Sequence, residues 1–314
     1  MKKTKSLPKD ITTHELMEID YRYSYPDSEL YSDWSKLKNT TEYKNGAQFK
    51  PGLKLCQHFF PNFWEIENSK GVSFASAWRD FDVMDRVRRW GLDGMSQLWL
   101  SWIRRAVFMT AGLPNSSMYR PHFSRQIIQG TGKQSGLLFD PCAGWGGRML
   151  GTVSCGWKYV SCESNKVTYD HLCELIEFLE IEDYVELHNI PVEDFDIKSL
   201  GPVDIVLTSP PYFNLEVYTS GPGQSYNKHP TYAEWSDQWL KPLIQNCLDA
   251  LVDDGISAWN VMNFKNVTLV EDVVSVHKEF GWELTGTVGF DSPLRNIRTL
   301  KNKDVTYMFK KNEK

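Results

Sequence analysis

From residue 119 onward the chain repeats one pattern: a short apolar run, a turn, then an amphipathic stretch of helical period. Runs at 136–139, 158–162, 184–188 and 203–208 read as buried strands. Lys166 to Glu180 reads as a helix with apolar positions Leu172, Leu175, Ile176 and Leu179. A helix over 232–251 leads into a strand at 255–261, followed by a helix at 270–280 and strands near 283–289 and 304–310. Strand and helix alternating in this way require right-handed crossovers, which predicts an α/β fold with a mostly parallel sheet and helices on both faces. Ligands bind such sheets beyond the carboxyl ends of the strands, where strand order reverses. The loops after Phe139, Cys162, His188 and Thr208 are therefore the places for chemistry, and the long loop 213–230, with Gly221-Pro222-Gly223, is expected to cover something. Residues 1–118 differ in texture. They are Trp-rich and Pro-punctuated, with helical periodicity clear only at 74–90 and 95–110, so the chain divides into a mainly helical N-terminal region, 1–118, and a second domain, 119–314.

Composition narrows the class. The 314 residues are 41% hydrophobic and 13% aromatic, enough for a sizeable core and incompatible with general disorder. No apolar run approaches the ~20 residues of a membrane span. The basic start MKKTKSLPKD lacks the apolar core of a signal peptide, so a cytoplasmic location is expected. The six cysteines form no CxxC pair, and Cys56 with His58 is the nearest approach to a metal-ligand spacing, so no metal is expected. GxSxG and HExxH are absent, which removes the usual support for two hydrolase classes.

Asp140-Pro-Cys-Ala-Gly-Trp-Gly-Gly147 follows a strand and precedes a helix. Gly144 and Gly146 allow a tight turn and close approach of a ligand to the backbone. Asp140 at the strand tip can accept hydrogen bonds from a ligand ammonium or ordered water. Glu163 ends the next strand, where an acid chelates the ribose hydroxyls of a nucleoside. Two nucleoside-bearing cofactors fit. A nicotinamide dinucleotide prefers G-x-G-x-x-G, but Met149 holds the third glycine position and Asp140 would face the pyrophosphate. S-adenosylmethionine is cationic at its sulfonium and ammonium, and the electrostatics favour it.

Thr208-Ser-Pro-Pro-Tyr212 closes the run 204–208. Pro210 and Pro211 stiffen the exit from the strand. The Ser209 hydroxyl and the Pro210 carbonyl are two acceptors at one strand tip, suited to an exocyclic amino group, and Tyr212 offers a flat face for a base. Hydrogen bonds accepted there would draw a delocalised amine nitrogen toward tetrahedral geometry.

Taken together, the Asp140-Pro-Cys-Ala-Gly-Trp-Gly and Ser-Pro-Pro-Tyr motifs resemble those of S-adenosylmethionine-dependent DNA amino-methyltransferases, the N4-cytosine and N6-adenine family, over roughly 119–309. The resemblance implies a Rossmann-like class I methyltransferase sheet in 119–314 and possible target recognition by 1–118. It implies catalysis by Ser209, Pro210, Pro211 and Tyr212 on a base flipped out of double-stranded DNA. It also implies cofactor contacts from Phe123, Ser124, Asp140, Cys142, Gly144, Gly146, Glu163 and Asn189. Cys142 stands where phenylalanine is common, and Asn189 where aspartate is common. Serine at the first tetrad position favours cytosine over adenine. A related amino-methyltransferase acting on RNA or on a protein glutamine is the alternative, with a nicotinamide oxidoreductase and a silent nucleic-acid-binding module as further readings.

The formal net charge of −5 excludes a globally basic nucleic-acid coat protein but not a local patch. Between Arg86 and Lys133 eight basic residues face a single acid, Asp93, for a local net of +7. Arg86, Arg88, Arg89, Arg104 and Arg105, interleaved with tryptophans, are the candidate DNA contacts. The recognition sequence and any restriction partner are not legible.

Overall fold

The structure, a computed structural model, describes residues 6–43, 49–68, 70–94, 98–113, 117–215, 224–289 and 305–312. Backbone contacts divide the chain into two compact units. The first holds residues 1–24, 61–117 and 214–220; the second holds 25–60, 118–213 and 221–314.

In chain order the elements are β1 (Ser6–Leu7), α1 (Thr13–Met17), α2 (Asp27–Lys38), α3 (Leu53–Phe59), α4 (Phe74–Trp78), α5 (Phe81–Gly94), β2 (Leu98–Trp99), α6 (Leu100–Thr110) and α7 (Pro121–Gly130). Then come β3 (Leu137–Asp140), α8 (Gly147–Val153), β4 (Lys158–Cys162), α9 (Lys166–Leu179), β5 (Val185–His188) and β6 (Val203–Thr208). The remainder is α10 (Ser225–Lys228), α11 (Tyr232–Trp235), α12 (Lys241–Ala250), β7 (Leu251–Val261), α13 (Leu269–Glu279), β8 (Trp282–Gly289) and β9 (Val305–Lys311).

The first unit is mainly helical over its described residues. The period over 74–90 is divided in two because the Asp80 carboxylate accepts the Val83 N–H at 3.0 Å and starts α5 afresh. Its core gathers Leu16, Trp64, Phe74, Trp78, Met84, Val87, Ile103 and Val107.

The second unit is built on a seven-stranded sheet of order β5-β4-β3-β6-β7-β9-β8. Strands β3 to β7 run parallel, and β9 is antiparallel to both neighbours. This is the expected α/β class with a Rossmann-like sheet, mostly parallel, whose strand order reverses between β3 and β6. Successive side chains alternate between faces. Leu138, Tyr159, Ile205, Leu207 and Ala258 join one core with residues of α2, α3, α7, α8 and α9. On the opposite face His277 of α13 stacks on Phe309 at 3.8 Å and meets Ser257 Oγ at 2.8 Å. The division drawn at residue 118 thus differs from the observed packing: Leu30, Trp34, Leu37, Leu53 and Leu55 pack with the sheet. The helix expected over 232–251 is α11 and α12 joined through a π turn at Ser236–Leu240. Gly221-Pro222-Gly223 lies outside the described residues. Among the described residues no helix is long and apolar enough to cross a membrane.

Candidate active site

Strand order reverses between β3 and β6. From β3 the chain proceeds outward through β4 to β5, then returns to place β6 on the other side of β3. The two strands pair in parallel, Leu138 with Ile205 and Phe139 with Val206. At their amino ends Asp204 locks them further, accepting the Leu137 N–H at 2.9 Å and the Lys133 ammonium at 2.8 Å. The glycine turn and the proline corner therefore leave neighbouring strands at the same end of the sheet.

In the glycine turn Asp140 is fully buried. Its carboxylate accepts Arg148 Nε–H at 2.6 Å, Tyr159 O–H at 2.8 Å and Cys142 N–H at 3.1 Å. Arg148 also donates to the carbonyls of Cys142 and Ala143. The acid thus fixes the shape of the turn through internal donors. Gly144 and Gly146 have φ of +59° and +70°, a region that disfavours any side chain. A Cβ at Gly144 would meet nothing closer than Arg148 Nη2 at 3.6 Å. Closer packing is demanded at Gly147 and Gly151, where a Cβ would stand 2.1 Å from the carbonyl oxygens of Tyr119 and Pro121 respectively. Both glycines let α8 lie directly on the start of α7.

Glu163 lies just past the tip of β4, half-buried, facing the turn. One carboxylate oxygen accepts Gly144 N–H at 3.0 Å and the other Asn165 N–H at 2.8 Å. Burial pushes its carboxyl up to about 7, against the downward pull of those backbone donors. Asn189 is exposed beyond β5 and donates to the Glu163 carbonyl at 2.8 Å, so it sits on the same rim. Cys142 lines the turn, and burial raises its thiol well above the ordinary range, which keeps it protonated. Phe123 and Ser124 lie on α7, both buried. Ser124 Oγ is 2.6 Å from where a Gly151 Cβ would stand, which aims it into the contact with α8.

At the proline corner Ser209 is half-buried and its Oγ–H donates to the Asn260 carbonyl at 3.2 Å. A hydroxyl has one proton and two lone pairs, so Ser209 is left with acceptor capacity only. Tyr212 is 8% exposed; its hydroxyl donates to the same carbonyl at 3.1 Å, and its ring lies nearly parallel to Phe264 at 6.4 Å. Phe213 follows at φ +48°, a strained conformation for a bulky residue. It is gripped by the rings of Tyr226, Tyr232 and Trp235.

The candidate DNA contacts separate into two kinds. Arg88 Nε–H donates to the Ile11 carbonyl at 2.7 Å, and Arg104 Nε–H to that of Tyr21 at 2.6 Å, so both brace the first unit. Arg86, Arg89 and Arg105 are exposed, beside a Trp90 that is 49% exposed; within their own helix Arg86 Nε–H donates to the Asp82 carbonyl at 3.3 Å and Arg89 pairs with Asp85 at 2.7 Å. Arg120, Arg125 and Lys133 belong to the second unit. The +7 run is thus divided between the two units. Arg148, Asn260, Gly147 and Gly151 were missed as site residues. For the two glycines the signal was present, since their spacing of four puts them on one helix face. Among the described residues no group of three or more His, Cys, Asp or Glu could hold a metal ion.

No family model and no curated protein matches the chain. Among solved structures, an rRNA methylase from Streptococcus thermophilus is similar at 15% identity and a TM-score of 0.41, over 63% of this chain and 100% of its own. A precorrin-6y C5,15-methyltransferase from Geobacter metallireducens gives 11% and 0.41, over 63% and 90%. A SAM-dependent methyltransferase from Corynebacterium glutamicum gives 14% and 0.40, over 68% and 97%. All three are described as methyltransferases. At such scores the likenesses do not bear on substrate or on the role of any residue.

Proposed function

We propose that the chain is an S-adenosylmethionine-dependent methyltransferase acting on an exocyclic amino group of a base flipped out of duplex DNA, cytosine N4 in preference to adenine N6. One observation carries this reading: β3 and β6 are hydrogen-bonded neighbours at the point where strand order reverses, so the glycine turn and the proline corner open side by side.

The residues of the turn fit the cofactor. A Cβ at Gly144 would make only ordinary contacts, with Arg148 Nη2 at 3.6 Å and the Cys142 carbonyl oxygen at 3.9 Å, and Glu163 keeps lone pairs on both oxygens beyond its two backbone bonds. Gly144, Gly146 and Cys142 would hold the cofactor along the backbone, Glu163 its ribose and Asn189 the side of its adenine. Asp140 acts by shaping the turn, and Phe123 and Ser124 by packing α7 beneath it. When bound, S-adenosylmethionine supplies an electrophilic methyl group on a cationic sulfonium.

Ser209 Oγ, with its proton on the Asn260 carbonyl, accepts one N–H of the target amine, and the Pro210 carbonyl accepts the other. Pro210 and Pro211 keep these acceptors rigid. An exocyclic amine is a poor nucleophile because its lone pair is delocalised into the ring; two acceptors draw the nitrogen out of that plane. Alignment of this kind is worth ~7–11 kcal/mol of the barrier. Tyr212 holds the flipped base by its ring, and water takes the released proton. In the first unit, exposed Arg86, Arg89, Arg105 and Trp90 supply phosphate contacts and a stacking face. The serine at the head of the tetrad supports cytosine.

The test is transfer of labelled methyl from S-adenosylmethionine to duplex DNA, single-stranded RNA and a glutamine-containing protein in parallel. Label in DNA cytosine is expected. Label confined to RNA or protein would move the acceptor, and none in any arm would overturn the reading.

A further inference from the structure

The carboxyl end of β7 brings a buried residue to the proline corner that the reaction as described uses only through its backbone. Asn260 is 5% exposed and follows Trp259, which pairs with Thr208 at the tip of β6. Its carbonyl receives the protons of both Ser209 and Tyr212. Its side chain makes two more contacts. The carboxamide nitrogen donates to the Tyr212 hydroxyl at 3.5 Å, and Oδ1 accepts Thr306 Oγ1–H at 3.0 Å. The Thr306 hydroxyl meets that of Tyr119 at 3.2 Å, and the Tyr119 ring lies under the Arg148 guanidinium at 5.4 Å. Arg148 is the group that holds Asp140 and the carbonyls of the glycine turn. A continuous chain of contacts thus runs from the proline corner to the glycine turn within one unit.

An amide presents one face as donor and the other as acceptor, and Tyr212 settles which is which: its one proton goes to the Asn260 carbonyl, so toward the side chain its oxygen can only accept. The nitrogen faces Tyr212, and Oδ1 is left to the Thr306 hydroxyl, which holds the amide in that orientation. The Tyr212 hydroxyl is thus held by two bonds of opposite sense. We propose that Asn260 is a positioning residue for the target base: its carboxamide, oriented by Thr306, fixes the Tyr212 ring on which the base lies. This rests on the methyl-transfer reading above.

The experiment compares Asn260→Asp, Tyr212→Phe and the double variant for kcat on duplex DNA, with S-adenosylmethionine affinity measured separately by calorimetry. A carboxylate cannot donate to Tyr212, so Asn260→Asp is expected to lose about 100-fold in kcat, the scale of an ångström-sized misplacement, with cofactor affinity unchanged. The double variant is expected to be no worse than the poorer single one, because both remove the same contact. Losses that multiply, a kcat equal to the unaltered chain, or a parallel loss of cofactor affinity would each overturn the inference. Should Asn260→Asp fail to fold, Thr306→Val keeps the shape and removes the orienting hydroxyl; a fall in kcat at constant cofactor affinity supports the inference and an unchanged kcat overturns it. An unaltered chain that methylates nothing overturns the reading and this inference together. An active unaltered chain with equally active variants overturns the inference alone.

Discussion

Glu163 is the residue through which pH reaches the site. Its carboxyl is pushed up to about 7 by burial, from an ordinary value of 4.5. The ionised form accepts ribose hydroxyls better than the neutral acid, so affinity for adenosine, which carries the ribose without an amino-acid chain, is expected to rise as pH climbs through about 7. Calorimetry across that range on the unaltered protein and Glu163→Gln checks it; the substitution should flatten the profile. Stability runs the other way. A raised folded value favours the fold fully below 4.5 and loses that contribution as pH rises through about 7. At the proline corner, Tyr212→Ala is expected to cut methyl transfer about 100-fold with little change in cofactor affinity. Equal losses of both, in a filter-binding and transfer assay, would remove Tyr212 from the target site. The places of Asp140, Gly144, Glu163, Ser209 and Tyr212 at or just past strand ends were legible in the sequence because the apolar runs stop there at polar, glycine or proline residues. The place of Asn260 was not, because its contacts come from Ser209 and Thr306, 51 and 46 positions away along the chain.

Among the described glycines, those of α8 against the start of α7 leave the least room. A Cβ at Gly151 meets the Pro121 carbonyl at 2.1 Å, so Gly151→Ala must push two helices apart and is expected to cost about 1–3 kcal/mol in urea unfolding. Arg125 on α7 ties down two helix ends, donating to the carbonyls of Lys38, the last residue of α2, of Thr40 just beyond it, and of Ser154 after α8. Arg125→Ala leaves three carbonyls short of a charged donor and is expected to cost about 3 kcal/mol by the same measurement. The strands β4 and β6 follow the sequence reading residue for residue, since their apolar runs are bounded by sharp changes in polarity. The segment 25–60 was harder to read. Its helix α2 carries Leu30, Trp34 and Leu37 on one face, with acids in its first turn and lysines in its last. Those signals are local, and nothing local says that the buried face belongs to a sheet that begins a hundred residues later.

For the molecule as a whole, a formal net charge of −5 means that DNA is held by local charge or not at all. Arg86, Arg89 and Arg105 are the exposed arginines of the candidate set, and replacing all three with alanine should reduce the slope of log affinity against log salt by roughly 3. Arg88 and Arg104 hold backbone carbonyls of the first unit, so their loss should lower thermal stability and leave that slope nearly unchanged. A linear count of charge could not separate the two kinds, because Arg88 and Arg104 reach carbonyls 77 and 83 positions away, which only the fold brings near. Nucleoside mass spectrometry of DNA from cells expressing the unaltered chain, beside Ser209→Ala and Tyr212→Ala, addresses the activity itself. N4-methylcytosine is expected with the unaltered chain and absent with both variants. DNA free of methylated amino groups, from a chain that binds S-adenosylmethionine in the test tube, would contradict the assignment of the proline corner as a DNA-base methylation site.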